Sequence, residues 1–122
     1  MRGAFAPTRA IVTAADSGIG QATAVALAAD GMDVGITWHT DEEGARETAA
    51  EVARLGRTAH VERLDVTDLT DVAAVVDRLA DALGGLDVFV NNAGTGLARP
   101  FLLVSLQEWR DVIATDLDGA FV

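Results

Sequence analysis

The sequence predicts an α/β protein built on a doubly wound parallel sheet, with four strands that alternate with four helices. Short apolar runs recur along the chain, for example at residues 10–12 and 86–90. Longer segments with apolar residues three and four positions apart separate them, as at 69–83. Strict alternation of strand and helix places helices on both faces of a parallel sheet. Continuously apolar strands are typical of a sheet that is buried on both faces.

The predicted strands cover residues 8–13, 33–38, 59–64 and 86–90, and each is followed by a helix. The first helix is expected at 18–30, where Gly31 ends it, and the third at 69–83. A capping box of Thr40 and Glu43 begins the second helix, which continues to about residue 55. A second box, of Ser105 and Glu108, begins the last helix. A sheet of four strands in a single domain over residues 1–122 is therefore expected.

The composition excludes several classes of function. A formal charge of −10, with no lysine among the nine basic residues, argues against nucleic acid as a partner. The absence of cysteine excludes disulfides and thiolate metal sites, and we predict no metal. No apolar run has the length of a membrane span, and the first ten residues lack the apolar core of a signal peptide. A soluble, cytoplasmic protein is the expectation.

The chain is organised around the segment TRAIVTAADSGIG, residues 8–20, which is read as a strand, a tight turn and the start of a helix. Glycine lets the backbone approach a bulky anion, and the N–H groups and dipole of the following helix can hold it. A phosphate-bearing ligand is therefore the expected guest. The alternative is a strand-to-helix turn that binds nothing, because one glycine pair is a weak signal.

The predicted carboxyl ends of all four strands carry polar or small residues. These ends are the loop 13–20, the run 38–40, the pair 65–66 and the run 91–94. Ligands of doubly wound sheets bind beyond the carboxyl ends of the strands, at the point where the strand order reverses. One dinucleotide laid along this edge would contact each end in turn.

These motifs, in this order and spacing, resemble the N-terminal half of a short-chain dehydrogenase/reductase. The resemblance runs from about residue 8 to 122 and rests on Thr13-(x)4-Gly18-Ile19-Gly20, Asp65-Val66, the run Asn91-Asn92-Ala93-Gly94 and the segment from Trp109 to Phe121. It implies a Rossmann-type fold, of which these four strands would form an incomplete sheet. It also implies an NAD(P)-dependent oxidoreductase that transfers hydride between nicotinamide and a carbonyl or alcohol. It further implies a small-molecule substrate and a homo-oligomeric full-length protein.

The resemblance also assigns roles to residues. The residues assigned to the pyrophosphate are Ala14, Asp16, Ser17, Gly18, Ile19 and Gly20, and those assigned to the ribose are Trp38, His39 and Thr40. Asp65 and Val66 are assigned to the adenine, and Asn91, Asn92, Ala93 and Gly94 to the middle of the dinucleotide. The family's catalytic asparagine falls on Asp116, which would bend its helix and support a water of the proton relay. The competing interpretation of Asp116 is an ordinary solvated acid. His60 is interpreted as a sheet residue and Trp109 as a residue that packs the last helix onto its neighbours.

Three departures from the family pattern qualify this assignment. Ala14 replaces the first glycine of the loop. The loop can accommodate the alanine methyl group if φ at this residue is negative. Asp116 replaces the asparagine and adds a charge, which could pair with a catalytic lysine. The family's serine and Tyr-x-x-x-Lys pair lie beyond residue 122, and the chain contains neither tyrosine nor lysine. We therefore expect this segment to be the cofactor-binding half, truncated before the catalytic segment and inactive alone.

The choice between NADP(H) and NAD(H) depends on the end of the second strand. NAD-binding relatives usually place an acid there to hold the ribose hydroxyls. Trp38 occupies that position, His39 lies where NADP-preferring relatives often carry arginine, and Asp41 is near. Ser17 argues the other way, because some NADP enzymes have arginine there. NADP(H) is favoured and NAD(H) stays possible.

An alternative of another class is a catalytically inactive nucleotide-binding half-domain that acts as a binding or interaction module. A methyltransferase on the same fold is a weaker alternative, which the Asn-Asn-Ala-Gly run disfavours. If the chain ends at residue 122, the fourth strand lacks the neighbour that the family places beside it. Its edge and the apolar face of the last helix would then favour association.

Overall fold

The computed structural model describes residues 3–122. Met1 and Arg2 lie outside the described residues, and they belong to the N-terminal segment that is predicted not to be a signal peptide. The elements, in chain order, are β1 Arg9–Val12, α1 Gly18–Ala29, β2 Asp33–Trp38, α2 Glu42–Arg54, β3 Ala59–Arg63, α3 Leu69–Leu83, β4 Val88–Val90, a 3-10 turn Phe101–Leu103, α4 Leu106–Ile113, a π-helical turn Ala114–Asp118 and α5 Gly119–Phe121.

The four strands form one parallel sheet in the order β3-β2-β1-β4. From β1 the chain steps outward to β2 and β3, then returns to place β4 on the other side of β1. The strand order therefore reverses between β1 and β4, which is where sheets of this kind bind ligands. This confirms the predicted Rossmann-like, incomplete parallel sheet.

Helices cover both faces of the sheet. On one face α1 and α2 enclose a core whose fully buried members include Val12, Ile36 and Val52. On the other face α3 packs Val75 and Leu79 against Ile11 of β1. Because helices cover both faces of the central strands, residues that point to either face are buried. The sequences of these strands are therefore continuous apolar runs.

The observed start of β4 differs from the predicted one because a side chain forms hydrogen bonds with the backbone there. β4 begins at Val88 because the carboxylate of Asp87 accepts hydrogen bonds from the backbone N–H of Thr8 and Arg9, at 2.8 and 3.1 Å. These bonds lower the pKa of Asp87, with the Thr8 N–H as the main cause. They fasten the loop before β4 to the start of β1, which fixes the register of this pair.

The predicted Thr40–Glu43 capping box is wrong. The N-cap of α2 is Asp41, whose carboxylate accepts a hydrogen bond from the N–H of Gly44 at 2.9 Å. Aspartate at position 41 competes with threonine at 40 for the same role, and it places its acceptor over the third helical residue. The box of Ser105 and Glu108 at the start of α4 is confirmed.

A large apolar surface stays exposed around α4. Phe101, Leu102 and Phe121 are each more than three-quarters exposed, and β4 pairs with β1 alone among the described strands. Trp109 was expected to pack its helix onto neighbours, and this is wrong, because 55% of it is exposed. The predicted association through this surface stays a prediction. None of the helices within residues 3–122 combines the length and the apolarity needed to cross a membrane.

Candidate functional site

The carboxyl ends of the strands meet around a cavity of about 210 Å³. It is lined by Ala14, Thr37, His39, Leu64, Asp65, Val66, Thr67, Ala93, Gly94 and Thr115. Six of these, namely Ala14, His39, Asp65, Val66, Ala93 and Gly94, are among the residues that sequence analysis assigned to a dinucleotide. The cavity therefore joins segments from all four strand ends at the point where the strand order reverses.

The loop after β1 is held in place by threonines from β2 and α2. The N–H of Ala14 donates to Oγ1 of Thr37 at 3.1 Å, and the N–H of Ala15 donates to the Thr37 carbonyl at 3.0 Å. Oγ1 of the fully buried Thr48 donates to the Ala15 carbonyl at 2.7 Å. The loop is thus fixed by bonds that span 23 and 33 residues of sequence.

Ala14 adopts φ +49°, in the left-handed region that glycine enters without penalty. The condition under which a methyl group is tolerated without strain, a negative φ, is therefore not met. The bonds to Thr37 over-determine this conformation, so the fold keeps it despite a cost of roughly 1–2 kcal/mol for a residue with a Cβ.

Replacing Ala14 with glycine should raise the free energy of unfolding by about 1 kcal/mol, because the relief of strain exceeds the added flexibility of the unfolded chain. Urea denaturation measures the difference. Ala15→Gly is the matched control and should destabilise the protein, since Ala15 is fully buried and has no positive φ. A destabilised Ala14→Gly variant would show that the methyl group is accommodated without strain.

The N-terminus of α1 lacks the side-chain cap that the next three helices have. Asp41, Asp68 and Ser105 each accept a backbone N–H at the start of their helices, whereas the N-cap Ser17 makes no such bond. Gly18 has φ +54° and open space at its Cβ position. Ile19 beside it is 80% exposed. The first turn of α1, next to Asp16 and Ser17, therefore presents donors and an open backbone to an anion.

Gly20 serves a different purpose from Gly18, because it lies directly against the backbone of the loop. A Cβ on Gly20 would overlap the carbonyl oxygen of Ala14 and the side-chain nitrogen of Asn92. The close approach lets Asn92 donate to the carbonyls of Thr13 and Ala14, at 3.0 and 3.1 Å. Asn92 thus ties the end of β4 to the loop after β1.

Thr13 completes this connection. Its Oγ1 accepts from the N–H groups of Asn92 and Ala93, at 3.0 and 2.9 Å, and donates to the Val90 carbonyl at 3.4 Å. Asn91 is more peripheral, and its side-chain amide donates to the carbonyl of Ala120 at 3.4 Å. Thr13 and Asn92 therefore set the geometry of the segment from Asn91 to Gly94.

Asp65 lies at the end of the run that follows β3. Its carboxylate accepts from the hydroxyl and the N–H of Thr67, at 2.6 and 2.9 Å, and these bonds lower its pKa. Nε2 of His39 lies 3.4 Å from the same carboxylate. The neighbouring residue Val66 packs against the backbone of Gly119, where a Cβ would come within 2.9 Å of it. Asp65 is thus ionised and oriented at the mouth of the cavity.

The side chains at and after the end of β2 contact different partners near the mouth of the cavity. Trp38 contacts Arg63, the last residue of β3, whose guanidinium carbon lies 5.9 Å from the ring centroid. His39 faces Asp65, and Thr40 is exposed. The carboxylate of Asp41 is occupied by the cap of α2.

Asp116 lies in the π-helical turn that joins α4 to α5. Its Oδ1 accepts from the N–H of Thr95 at 2.7 Å and approaches the Cβ position of Gly94 at 3.5 Å. The helix is distorted at this residue, as expected, and its carboxylate is bonded to the loop after β4. Asp116 therefore borders the site, and its role in a proton relay stays a prediction.

Sequence analysis missed several residues that position this site. Thr37 and Thr48 hold the loop after β1, and Gly44 lies against it, since a Cβ there would overlap the Asp16 carbonyl. Threonine inside a buried strand or on a buried helix face is a usable signal, because a buried hydroxyl needs a partner. Among residues 3–122, no group of three or more acidic, histidine or cysteine side chains could hold a metal ion.

Comparisons with known proteins agree with this geometry. A family model described as short chain dehydrogenase matches residues 8–122. The chain is 49% identical over 113 residues to the uncharacterized oxidoreductase YohF of Escherichia coli strain K12, which covers 93% of this chain and 45% of that protein. It is 39% identical to 3beta-hydroxysteroid dehydrogenase 1 of Eggerthella lenta, over 91% of this chain and 42% of that protein.

Solved structures give the same result. The crystal structure of acetoin dehydrogenase from Enterobacter cloacae superposes with a TM-score of 0.86 at 48% identity, over 93% of this chain and 45% of that one. The chain spans slightly less than half the length of each of these relatives. By the extent of the family match, the chain belongs to the short-chain dehydrogenase family of oxidoreductases.

Proposed function

We propose that residues 1–122 are the cofactor-binding half of an NADP(H)-dependent oxidoreductase that interconverts a carbonyl and an alcohol. Family membership implies a nicotinamide dinucleotide. The observation that carries the proposal is the convergence of all four strand ends on one cavity beside the uncapped start of α1.

The donor set at this edge fits a dinucleotide. The first turn of α1, from Gly18 to Gly20, offers backbone donors for the pyrophosphate, with Ala14, Asp16 and Ser17 around it. Asp65 and Val66 would hold the adenine, and the segment from Asn91 to Gly94 would line the middle of the cofactor. Bound there, the nicotinamide ring would supply or accept hydride.

The chain's own residues bind and orient rather than carry out proton transfer. Thr13 and Asn92 fix the end of β4 against the loop after β1, so both walls of the site move as one unit. Asp116 holds the N–H of Thr95 and so shapes the loop on the substrate side. The 122 residues hold no tyrosine or lysine, so we propose that the proton donor lies outside them.

NADP(H) is proposed over NAD(H) because neither residue at the tip of β2, Trp38 or His39, is an acid. Trp38 occupies the tip, and Asp41, the nearest acid in sequence, is bonded to the N–H of Gly44. A ribose with free hydroxyls would therefore lack the acidic partner that NAD binders provide.

The proposed substrate is a small carbonyl or alcohol. The full-length protein is proposed to be a homo-oligomer that acts in the cytoplasm. Acetoin is a reasonable first substrate, because the Enterobacter cloacae protein, named acetoin dehydrogenase, is 48% identical. The exposed apolar residues around α4 support association between copies.

The proposal is tested by titrating the protein, as its source produces it, with NADPH and NADH, and following the fluorescence of Trp38 and Trp109. We expect binding of NADPH at micromolar concentrations and weaker binding of NADH. NADPH oxidation is then assayed with acetoin, its diketone and a panel of other small carbonyls. Failure to bind either dinucleotide would refute the proposed function.

A further inference from the structure

We propose that Arg63, rather than His39, gives the site its preference for a nucleotide with a 2′-phosphate. The inference rests on the proposed NADP(H) function and names the residue responsible for that choice. Arg63 ends β3 directly opposite Trp38, the last residue of β2. It therefore lies at the sheet edge where the adenosine ribose is assigned.

The guanidinium of Arg63 is held in position by two contacts from β2. Its Nε donates to the carbonyl of His39 at 3.1 Å, and its carbon lies 5.9 Å from the centroid of the Trp38 ring. An arginine stacked on an aromatic ring is pre-organised, so less rotamer freedom is lost when it binds a phosphate. With Nε engaged, the two terminal amino groups are the donors that a phosphate would use.

The guanidinium of Arg63 forms no ion pair with a carboxylate among the described residues, although it lies near enough to Asp65 to help lower the pKa of that acid. Of the eight arginines within residues 3–122, five form ion pairs with acids, namely Arg46, Arg54, Arg57, Arg78 and Arg99, whereas Arg63 forms none. In a chain with a formal charge of −10, Arg63 thus places a cation without an ion pair at the proposed nucleotide-binding edge. A dianionic phosphate is the chemical group that such a guanidinium binds most strongly.

His39 is the weaker candidate, although its sequence position suggested it. Its Nε2 lies 3.4 Å from the carboxylate of Asp65. A positive charge on this imidazole would therefore be compensated by Asp65. Arg63 forms no ion pair with Asp65, although its charge contributes to the lowered pKa of that acid, and its contact with the His39 carbonyl places it beside the same loop.

The test compares binding of 2′,5′-ADP and 5′-AMP, which differ only in the 2′-phosphate, to the full chain by isothermal titration calorimetry. The unsubstituted protein should bind 2′,5′-ADP at least about tenfold more tightly than 5′-AMP. Arg63→Gln should remove most of this preference while leaving the affinity for 5′-AMP unchanged, and Arg63→Lys should retain part of it. Arg54→Gln, which removes the same charge from an exposed position on α2, is the matched control and should keep the preference.

The outcomes separate the inference from the function on which it rests. Binding of neither nucleotide would refute the proposed function itself. Equal affinity of the unsubstituted protein for both would refute the proposed preference for NADP(H) together with the role of Arg63. A preference that persists in Arg63→Gln, or loss of both nucleotides in that variant, would refute the role of Arg63 alone. The same holds if His39→Asn removes the preference and Arg63→Gln preserves it.

Discussion

Replacing Gly20 with alanine should lower the free energy of unfolding by about 3 kcal/mol and abolish dinucleotide binding. The added methyl group would overlap the Ala14 carbonyl oxygen and the side-chain nitrogen of Asn92. These two atoms form one of the hydrogen bonds that join β4 to the loop after β1. Neither can withdraw freely, because Ala14 is also bonded to Thr37 and Asn92 to Thr13.

Urea denaturation followed by circular dichroism measures the loss of stability, and calorimetry with 5′-AMP measures the loss of binding. Gly96→Ala is the control, because it adds the same methyl group to a loop residue with nothing within 4 Å of its Cβ position and no positive φ. It should change the free energy of unfolding by less than about 0.5 kcal/mol. A Gly20→Ala variant as stable as the control would show that the loop moves aside at little cost.

The fold was predictable because its signals are local and repeated. The apolar stripe of α3 and the glycine after it predict the observed bounds, Leu69–Leu83, and Gly84 adopts the left-handed conformation typical of a helix end. β2 likewise has the predicted bounds, Asp33–Trp38. Periodicity and end signals act within a few residues, so a single sequence contains them in full.

The details of the site were less predictable, because they depend on contacts between residues far apart in sequence. The positive φ of Ala14 follows from its bonds to Thr37, and no local pattern distinguishes it from an alanine with negative φ. At the start of α2, the adjacent residues Thr40 and Asp41 can each cap a helix, and the structure shows that Asp41 is the N-cap. Sequence motifs therefore indicated which strand ends form the candidate site, while the hydrogen bonds that shape it required coordinates.

The exposed apolar residues around α4 mark another limit of sequence analysis. An amphipathic pattern predicts that Trp109 is buried, but it does not state which surface buries it. Within residues 3–122 nothing packs over most of this side chain. Periodicity thus identifies an apolar face correctly, and burial depends on whether a partner surface is present.

Replacing Thr13 with valine should lower the free energy of unfolding by about 2–3 kcal/mol, although the two side chains have nearly the same shape. The hydroxyl accepts from two backbone N–H groups, those of Asn92 and Ala93, in a residue that is only 3% exposed. Valine would leave the N–H of Ala93 without this acceptor and the N–H of Asn92 with the Val90 carbonyl alone, so the end of β4 would be held less firmly against β1. Because no cavity forms, any loss of stability reports on hydrogen bonding rather than on packing.

Urea denaturation of the Thr13 variants separates these contributions. Thr13→Ser keeps the hydroxyl and removes the methyl group, so it should retain more stability and more 5′-AMP binding than Thr13→Val. Thr95→Val is the matched control at an exposed residue near the site, and it should be nearly neutral. If Thr13→Ser proves the less stable of the two, packing of the methyl group holds the strand ends together. If Thr13→Val is the less stable, hydrogen bonding by the hydroxyl couples the fold of the sheet to the geometry of the candidate site.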